Sequence, residues 1–257
     1  MMRALFTLAA SLALGTPASP PASAAASKAQ REALLDALRA QRDTRTRMKS
    51  LRLVYRFEVT AGSGAKTSGR VELFRKQDKI RVDTVSGDAA ADTLIFDGQR
   101  YFRTHAGLVQ EVSADEVRRR SMGRLDVVTS WLERLAQETA DLRMENIPDG
   151  GGDGYALTGQ MNETTVRVWI DARSFLVSRT EMRSDRTKEP IVSIVHRYRP
   201  LDVLWLAEDV EVRDDGGNLT RLRLQDAQAN PEVRDDLFDP EHERPKLKTI
   251  LRELFGD

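Results

Sequence analysis

Apolar and polar residues alternate along most of this chain, which is the pattern of β-strands that bury one face. The alternation is clearest in residues 51–60, which read LRLVYRFEVT. One face of this segment carries the apolar residues Leu51, Leu53, Tyr55, Phe57 and Val59. The other face is mainly charged, so the segment predicts a strand with one side turned towards a core.

The same period of two recurs between short, turn-rich connections. Further strands are predicted in residues 70–76, 79–85, 93–104, 107–112, 155–160, 164–171, 175–182, 191–198, 206–214 and 219–227. Asp97-Gly98 divides one of these segments into two apolar runs, which is typical of a two-residue hairpin turn. About 11 strands joined by short turns predict an antiparallel meander that closes into a barrel or has one face covered.

Other segments have the periodicity of helices. Residues 28–49 are rich in helix formers and carry a narrow apolar stripe of Leu34, Leu35, Leu38 and Met48. Ser113 and Glu116 have the spacing of a capping box, and a further helix is predicted over about 125–138. These helices are the expected covers of the sheet. Residues 241–257 form a tail that reads as an amphipathic helix, either docked or mobile.

The first residues have the pattern of an export signal. Arg3 precedes a short apolar run, and Ala22-Ser23-Ala24 fits a signal-peptidase site. The run is shorter than the about 20 residues that span a bilayer, although a short N-terminal anchor is an alternative interpretation. The chain contains no cysteine, so neither a lipid anchor nor a disulfide is expected. We therefore assign 1–24 to a signal peptide, 25–240 to the folded domain, and the mature protein to the periplasm.

Charge and motifs argue against most kinds of chemistry. Lys+Arg and Asp+Glu are equal at 40 each, so the basic excess of a nucleic-acid-binding protein is absent. His105, His196 and His242 are far apart in sequence and do not have metal-ligand spacing. The glycine-rich run in residues 149–154 lacks the ending of a phosphate-binding loop and predicts a flexible hairpin loop. We expect a protein that is not an enzyme and needs neither cofactor nor metal.

Apolar strand faces are the positive signal for function. The residues predicted to line one concave surface are Leu53, Tyr55, Phe57, Val71, Leu73, Ile80, Val82, Leu94 and Phe96. One interpretation is that they pack a core against the helices. The other is a hydrophobic cavity, because a curved sheet that helices fill only partly leaves room for an acyl chain.

The order of these motifs resembles the LolA-like superfamily, which includes outer-membrane lipoprotein carrier and sorting proteins and the RseB/MucB sensor domain. The motif of the second strand corresponds to Gly69, Val71, Leu73 and Lys76. The hairpin motif corresponds to Asp97-Gly98 followed by Tyr101-Phe102. A final strand with Leu222 and Leu224 leads to a turn and a closing tail, which contain Asn230-Pro231, Leu237-Phe238 and Pro240.

The resemblance implies a mainly β protein with helices, of the α+β class. Its fold would be an incomplete antiparallel β-barrel of about 11 strands wrapped over helices that cover a hydrophobic cavity. It further implies that Trp131, Leu132 and Leu135 belong to a helical lid, and that Leu237-Phe238 fold back over the open edge of the sheet. The expected ligands are acyl chains of a lipoprotein or lipid. The expected partners of this monomeric carrier are an inner-membrane transporter and an outer-membrane acceptor.

Three alternatives to the lipoprotein carrier remain. Carriers have an Arg-Pro pair after the second strand, whereas residues 75–78 here read Arg-Lys-Gln-Asp, so a relative that handles another lipid fits as well. A lipid-sensing regulator of envelope stress, which binds a membrane-protein partner, could use the same fold. A hydrolase is the least favoured alternative, since the usual nucleophile and metallohydrolase motifs are missing.

Overall fold

The computed structural model describes residues 25–87, 91–113, 141–147, 152–161, 164–184, 189–202 and 204–243. One helix, α1, spans Lys28–Arg47. The strands are β1 (Ser50–Thr60), β2 (Lys66–Lys76), β3 (Lys79–Ser86), β4 (Asp92–Phe96), β5 (Tyr101–His105), β6 (Leu108–Val112), β7 (Arg143–Ile147), β8 (Gly152–Met161), β9 (Thr164–Asp171), β10 (Val177–Ser184), β11 (Ile191–Leu201), β12 (Leu204–Arg213) and β13 (Leu219–Ala229). Two 3-10 turns follow, at Asp235–Phe238 and Pro240–Glu243.

All the strands belong to one antiparallel sheet of 13 strands. Their order is β6-β5-β4-β3-β2-β1-β13-β12-β11-β10-β9-β8-β7, so β1 pairs with the last strand at the centre of the sheet. β6 and β7 are the two edges, and the sheet is open. The predicted class of a mainly β protein with an incomplete antiparallel barrel is therefore confirmed, with 13 strands instead of about 11. β7 escaped prediction because its sequence, RMENI, has no clean alternation.

One face of the sheet is apolar from β1 across to β8. Residues directly opposite in register point to the same face. One such series is Phe57, Leu222, Val210 and Val195, and another is Ser193, Thr180, Val168 and Leu157. We call this face the apolar face, and the face that carries Arg52, Arg56 and Glu58 the charged face.

Helix α1 covers the apolar face over β7 to β10. Leu34 and Leu38, on its apolar stripe, are buried against Tyr155, Val168 and Met182. At its N-terminus Ser27 and Gln30 exchange the reciprocal bonds of a capping box: the Gln30 side chain accepts from the Ser27 backbone N–H at 2.8 Å, and the Ser27 hydroxyl accepts in return. The helix predicted over residues 28–49 is thus confirmed. The position of α1 determines which half of the apolar face is covered.

The C-terminal tail lies on the charged face, over β3 to β6. Phe238 is 2 % exposed and packs with Val233 against Ile95 and Phe102. Asn230 begins the tail in a left-handed conformation (φ 54°), and its side-chain oxygen accepts a hydrogen bond from the Lys49 backbone N–H at 2.8 Å. The tail does fold back on the sheet.

The predicted closure of the open edge needs correction, because Phe238 covers a face of β4 and β5. The reason is that Ile95 and Phe102 point away from the apolar face and would otherwise be exposed. The second 3-10 turn then reaches β5 and the edge strand β6.

The glycine-rich run was predicted to be a loop, and part of it is strand. Gly152 to Gly154 belong to β8, where Gly154 pairs with Glu145 on β7 and Asp171 on β9. A Cβ at Gly154 would lie 2.4 Å from Ile147 Cδ1, so this position needs glycine for packing.

Several predictions fall outside the described residues: the signal peptide, the helices between 114 and 138, and the end of the tail after 243. Over the part of the chain that is described, no helix has the length and apolarity to span a membrane.

Candidate functional site

The nine residues predicted to line a cavity share the apolar face. Register places Leu53 opposite Leu73, Leu73 opposite Val82, and Val82 opposite Leu94. In the same way Tyr55 is opposite Val71, Phe57 opposite Gly69, and Ile80 opposite Phe96. The structure therefore brings these residues together on β1 to β4, on the side of β13 that is farther from the α1-covered strands.

Most of this region is incompletely buried within the chain. Leu53, Phe57 and Val82 are buried, whereas the other six residues are only partly buried: Tyr55, Val71, Leu73, Ile80, Leu94 and Phe96. α1 packs mainly on β7 to β10 and also approaches β12. We call these nine residues the acyl patch, after the ligand that the resemblance implies. Tyr101 of β5 extends the patch by stacking on Phe96 at 4.5 Å between ring centroids.

The hydroxyl of Tyr55, in the acyl patch, is paired with the backbone. The Tyr55 hydroxyl donates to the Ala207 carbonyl oxygen at 2.9 Å, so its ring lies across β13 towards β12. Leu224 of β13, the register partner of Tyr55, is buried in one cluster with Leu206 of β12. The patch is therefore continuous with an apolar cluster on β12 and β13, which also contains Leu51 and Met48. Leu222 and Leu224 are turned to the apolar face, as predicted.

A charged cluster on the same face was missed in the sequence. Glu208 of β12 alternates with Leu206 and Val210, and it forms ion pairs with Arg197 and Arg199 of β11. The Arg197 Nε to Glu208 Oε2 distance is 2.6 Å, and Arg199 Nε donates to Glu208 Oε1 at 2.9 Å. In the sequence, Val195, Arg197 and Arg199 have the alternation of one strand face. The pairing of β11 with β12 is irregular at Arg197, which lies opposite Asp209, whereas Arg199 lies opposite Leu206. The ion pairs join both arginines to Glu208. We call Arg197, Arg199 and Glu208 the arginine triad.

Other charged groups of the described strands also lie on the apolar face, Arg103 and Arg75 among them. Arg103 of β5 forms a bidentate pair with Asp92 of β4, at 2.7 and 2.8 Å, which is neutral as a unit. Arg75 lies at the end of β2 and donates to the Met48 carbonyl oxygen at 3.4 Å. It is the arginine of the segment that departs from the carrier motif. Unlike the Asp92–Arg103 pair, the triad has two cations for one anion.

The charged face is held together by ion pairs between strands and tail. Lys76, a residue of the second-strand motif, donates to the Val233 carbonyl oxygen at 2.8 Å and to Asp235 at 3.2 Å. Arg81 donates to the Leu237 carbonyl oxygen at 3.1 Å. The hydrogen bond and charge of Lys76 hold the pKa of Asp235 below its ordinary value. Lys76 is thus an anchor of the tail and does not face the acyl patch.

The hairpin motif has a local structural role. Burial raises the pKa of Asp97, but backbone N–H groups of Arg100 and Gln99 that donate to its carboxylate bring the pKa below the ordinary value. Gly98, with φ 102°, takes the left-handed position of the turn. Neither residue has a chemical function in this arrangement.

The three histidines lie in separate elements, and the predicted lid is not described. The lid residues Trp131, Leu132 and Leu135 lie outside the described residues. His105 ends β5, His196 lies on β11, and His242 lies in the tail. Among residues that the structure describes, no group of three metal-ligating side chains is found.

The fold is similar to those of solved proteins. No protein-family model matches the chain, and no curated protein matches its sequence. A LolA superfamily protein from Nitrosomonas europaea superposes with a TM-score of 0.55 at 16% sequence identity, over 81% of this chain and 96% of that chain. The chain has the LolA fold. A domain described as an outer membrane lipoprotein-sorting protein from Vibrio parahaemolyticus gives 0.57 at 13% identity, over 83% of this chain and 100% of that one. The expected resemblance to LolA proteins is confirmed at the level of the fold.

Proposed function

We propose that this protein is a periplasmic carrier that binds acyl chains of a lipoprotein or lipid on the acyl patch and transfers them across the periplasm. It acts by binding and release and catalyses no reaction. The observation that carries the proposal is the incomplete burial of the patch. Tyr55, Val71, Leu73 and Leu94 keep apolar surface that the described chain does not cover.

The energetics of acyl transfer fit such a patch. Burial of an acyl chain is worth about 0.8 kcal/mol per CH₂ group, so a lipid crosses an aqueous compartment only when a protein covers its chain. A sheet face lined by aliphatic and aromatic side chains supplies that cover. Because the face is open, the ligand can also leave, as a carrier requires.

The lid, the export signal and the membrane partners expected from the sequence complete this proposal. The apolar residues Trp131, Leu132 and Leu135, in the segment with helical periodicity, act as the lid that covers the patch in the empty protein. Residues 1–24 direct export to the periplasm. An inner-membrane transporter loads the monomeric protein and an outer-membrane acceptor unloads it. The similarity in fold to a lipoprotein-sorting domain supports this role.

Lipid analysis of the native protein tests the proposal directly. Protein isolated from the periplasm should release acyl lipid on organic extraction, and the purified apoprotein should take up a neutral fluorescent acyl probe. If mass spectrometry finds no lipid and the probe stays in solution, the proposal is wrong. Recovery of a membrane-protein partner without lipid would favour the stress-sensor alternative.

A matched pair of variants locates the site. Val71 lies on the acyl patch, while Val85, on the next strand, points to the charged face opposite Arg70. Val71→Asp should abolish probe uptake, since a carboxylate within the patch is costly to bury against an acyl chain. Val85→Asp makes the same chemical change on the other face and should bind normally. Val71→Thr, of nearly equal shape, should weaken binding if Val71→Asp does not fold. Equal binding by all three variants would place the ligand elsewhere.

A further inference from the structure

The arginine triad lies beside the acyl patch and carries a net positive charge. Tyr55 connects the two, since its hydroxyl bonds to Ala207, the residue before Glu208. Leu224, opposite Tyr55 on β13, supplies a carbonyl oxygen that accepts from Arg199 Nη2 at 3.4 Å. The patch and the triad are therefore neighbouring parts of one surface, one apolar and the other cationic.

Within the triad, the two arginines differ in freedom. Glu208 is 13% exposed, and Arg199 is bound both to it and to the Leu224 carbonyl oxygen. Arg197 is 67% exposed, although its Nε is tied to Glu208. Glu208 thus fixes the base of the Arg197 guanidinium and leaves its outer N–H groups towards solvent. A guanidinium has five N–H donors, so one carboxylate does not saturate two of them.

We propose that the triad recognises the anionic head group of the bound lipid, a carboxylate or a phosphate, while the acyl patch takes the chain. This inference rests on the proposed function and narrows its ligand to an acidic amphiphile instead of a neutral acylated anchor. Arg197 contacts the head group, Arg199 adds charge, and Glu208 positions both. Planar guanidinium groups bind carboxylate and phosphate oxygens through two parallel hydrogen bonds.

The charge balance of the face supports this assignment. The Asp92–Arg103 pair is neutral and bidentate, so its charges satisfy each other. The triad has one surplus positive charge, and that charge lies next to apolar surface. Attraction between unit charges is stronger there than in bulk water, because the effective dielectric constant near a protein surface is lower.

Competition binding with three ligands tests the inference. Oleate carries a carboxylate, lysophosphatidylglycerol a phosphate, and monoolein has no charge but the same chain as oleate. Each displaces the neutral fluorescent acyl probe from the full-length protein. We expect the wild type to prefer at least one of the two anions over monoolein by roughly tenfold, the size of one charge-assisted hydrogen bond. Tighter binding of oleate would identify the head group as a carboxylate, and tighter binding of lysophosphatidylglycerol would identify it as a phosphate.

Substitution of Arg197 should remove the preference and leave chain binding intact. In Arg197→Gln the ion pair between Glu208 and Arg199 remains. The carboxylate of Glu208 therefore keeps a cationic partner, and the local structure should be preserved. This variant should bind the anion about tenfold more weakly and monoolein as before. Arg223→Gln is the control: Arg223 is 65% exposed, like Arg197, but lies on the charged face near Asp209. Glu208→Gln removes the negative charge and should strengthen anion binding.

The outcomes separate this inference from the proposed function. Loss of anion preference in Arg197→Gln alone supports the triad as the head-group site. Tight binding of oleate, lysophosphatidylglycerol and monoolein with no preference, or equal effects of Arg197→Gln and Arg223→Gln, would overturn the inference and leave the carrier in place. Failure of every ligand and of the neutral probe to bind would overturn the carrier as well.

Discussion

The ring of Phe57 lies directly over Gly69, its register partner on β2. A Cβ at Gly69 would fall 2.4 Å from Cζ of Phe57 and 2.1 Å from the carbonyl oxygen of Val85. Glycine at this position of the second-strand motif therefore allows an aromatic ring and a neighbouring backbone to approach the strand closely. The motif residue is a packing requirement of the acyl patch.

Gly69→Ala should destabilise the protein by about 1–3 kcal/mol, because the ring and the β3 backbone must both shift to admit a methyl group. Urea unfolding followed by circular dichroism measures the change. Gly62→Ala is the control, since a Cβ there would meet its nearest atom at 3.6 Å, an ordinary contact. Equal urea midpoints for the two variants would show that the sheet accommodates a methyl group at Gly69 without strain.

Phe238 anchors the tail, so its removal should be costly. Phe238→Ala leaves a cavity against Ile95 and Phe102, for which a loss of about 3 kcal/mol is expected. Val85→Ala, at an exposed position of the charged face, should change stability by less than about 0.5 kcal/mol. Chemical denaturation of both variants measures the difference. A wild-type midpoint for Phe238→Ala would mean that the tail is not part of the folding unit.

Local patterns in the sequence were sufficient for most of the strands, since side-chain alternation depends only on neighbouring residues, but not for β7, whose sequence does not alternate. The short turns then predicted antiparallel neighbours, and β2 to β6 pair in that way. The nine predicted residues share a face for the same reason: Leu53 and Phe57 are in phase on β1, and register extends that phase to Leu73 and Val82.

Contacts between distant parts of the chain were beyond such patterns. β4 reads DTLIF and has apolar residues on both of its sides. This composition indicates that both faces are covered, but it does not identify the covering residues. The cover of Ile95 is Phe238, more than a hundred residues away in sequence. Likewise, Arg197 joins the apolar face only through its ion pair with Glu208 of β12. From the sequence alone, an arginine in a strand predicts a solvent-facing side chain, and only the pairing of the strands shows its neighbours.

Asp235 should titrate below its ordinary pKa of 3.8, because the hydrogen bond and charge of Lys76 favour the carboxylate. Since the folded-state pKa is the lower one, this contact stabilises tail docking above the unfolded-state pKa. The stabilisation is lost as the pH falls through the folded-state pKa. The carboxyl carbon shift of Asp235, followed by NMR against pH, measures this pKa.

In Lys76→Gln the pKa of Asp235 should rise towards the ordinary value. Lys79, at 3.5 Å from the other carboxylate oxygen, contributes less, so Lys79→Gln should raise it by a smaller amount. The reverse order of the two variants, or no change in either, would contradict the assignment of Lys76 as the anchor.

Glu145 of β7 stabilises the charged face of the strands whose apolar face α1 covers. Its carboxylate accepts from Trp169 Nε1 at 3.2 Å and from Arg167, and the guanidinium groups of Arg167 and Arg179 lie 4.8 and 4.9 Å from the Trp169 ring centre. Glu145→Gln keeps the shape but removes the charge that holds Arg167. We expect a loss of about 1–2 kcal/mol, since Arg167 is partly solvated.

Glu111→Gln is the control for this loss, because Glu111 pairs with Arg100 on an exposed part of the sheet and should cost less than about 0.5 kcal/mol. Urea unfolding measures stability, and displacement of the neutral acyl probe measures binding. Glu145 lies on the face opposite the acyl patch, so Glu145→Gln should lower stability without changing probe affinity. A variant that kept full stability but lost the probe would place ligand contacts on the charged face, contrary to the site proposed for the acyl chain.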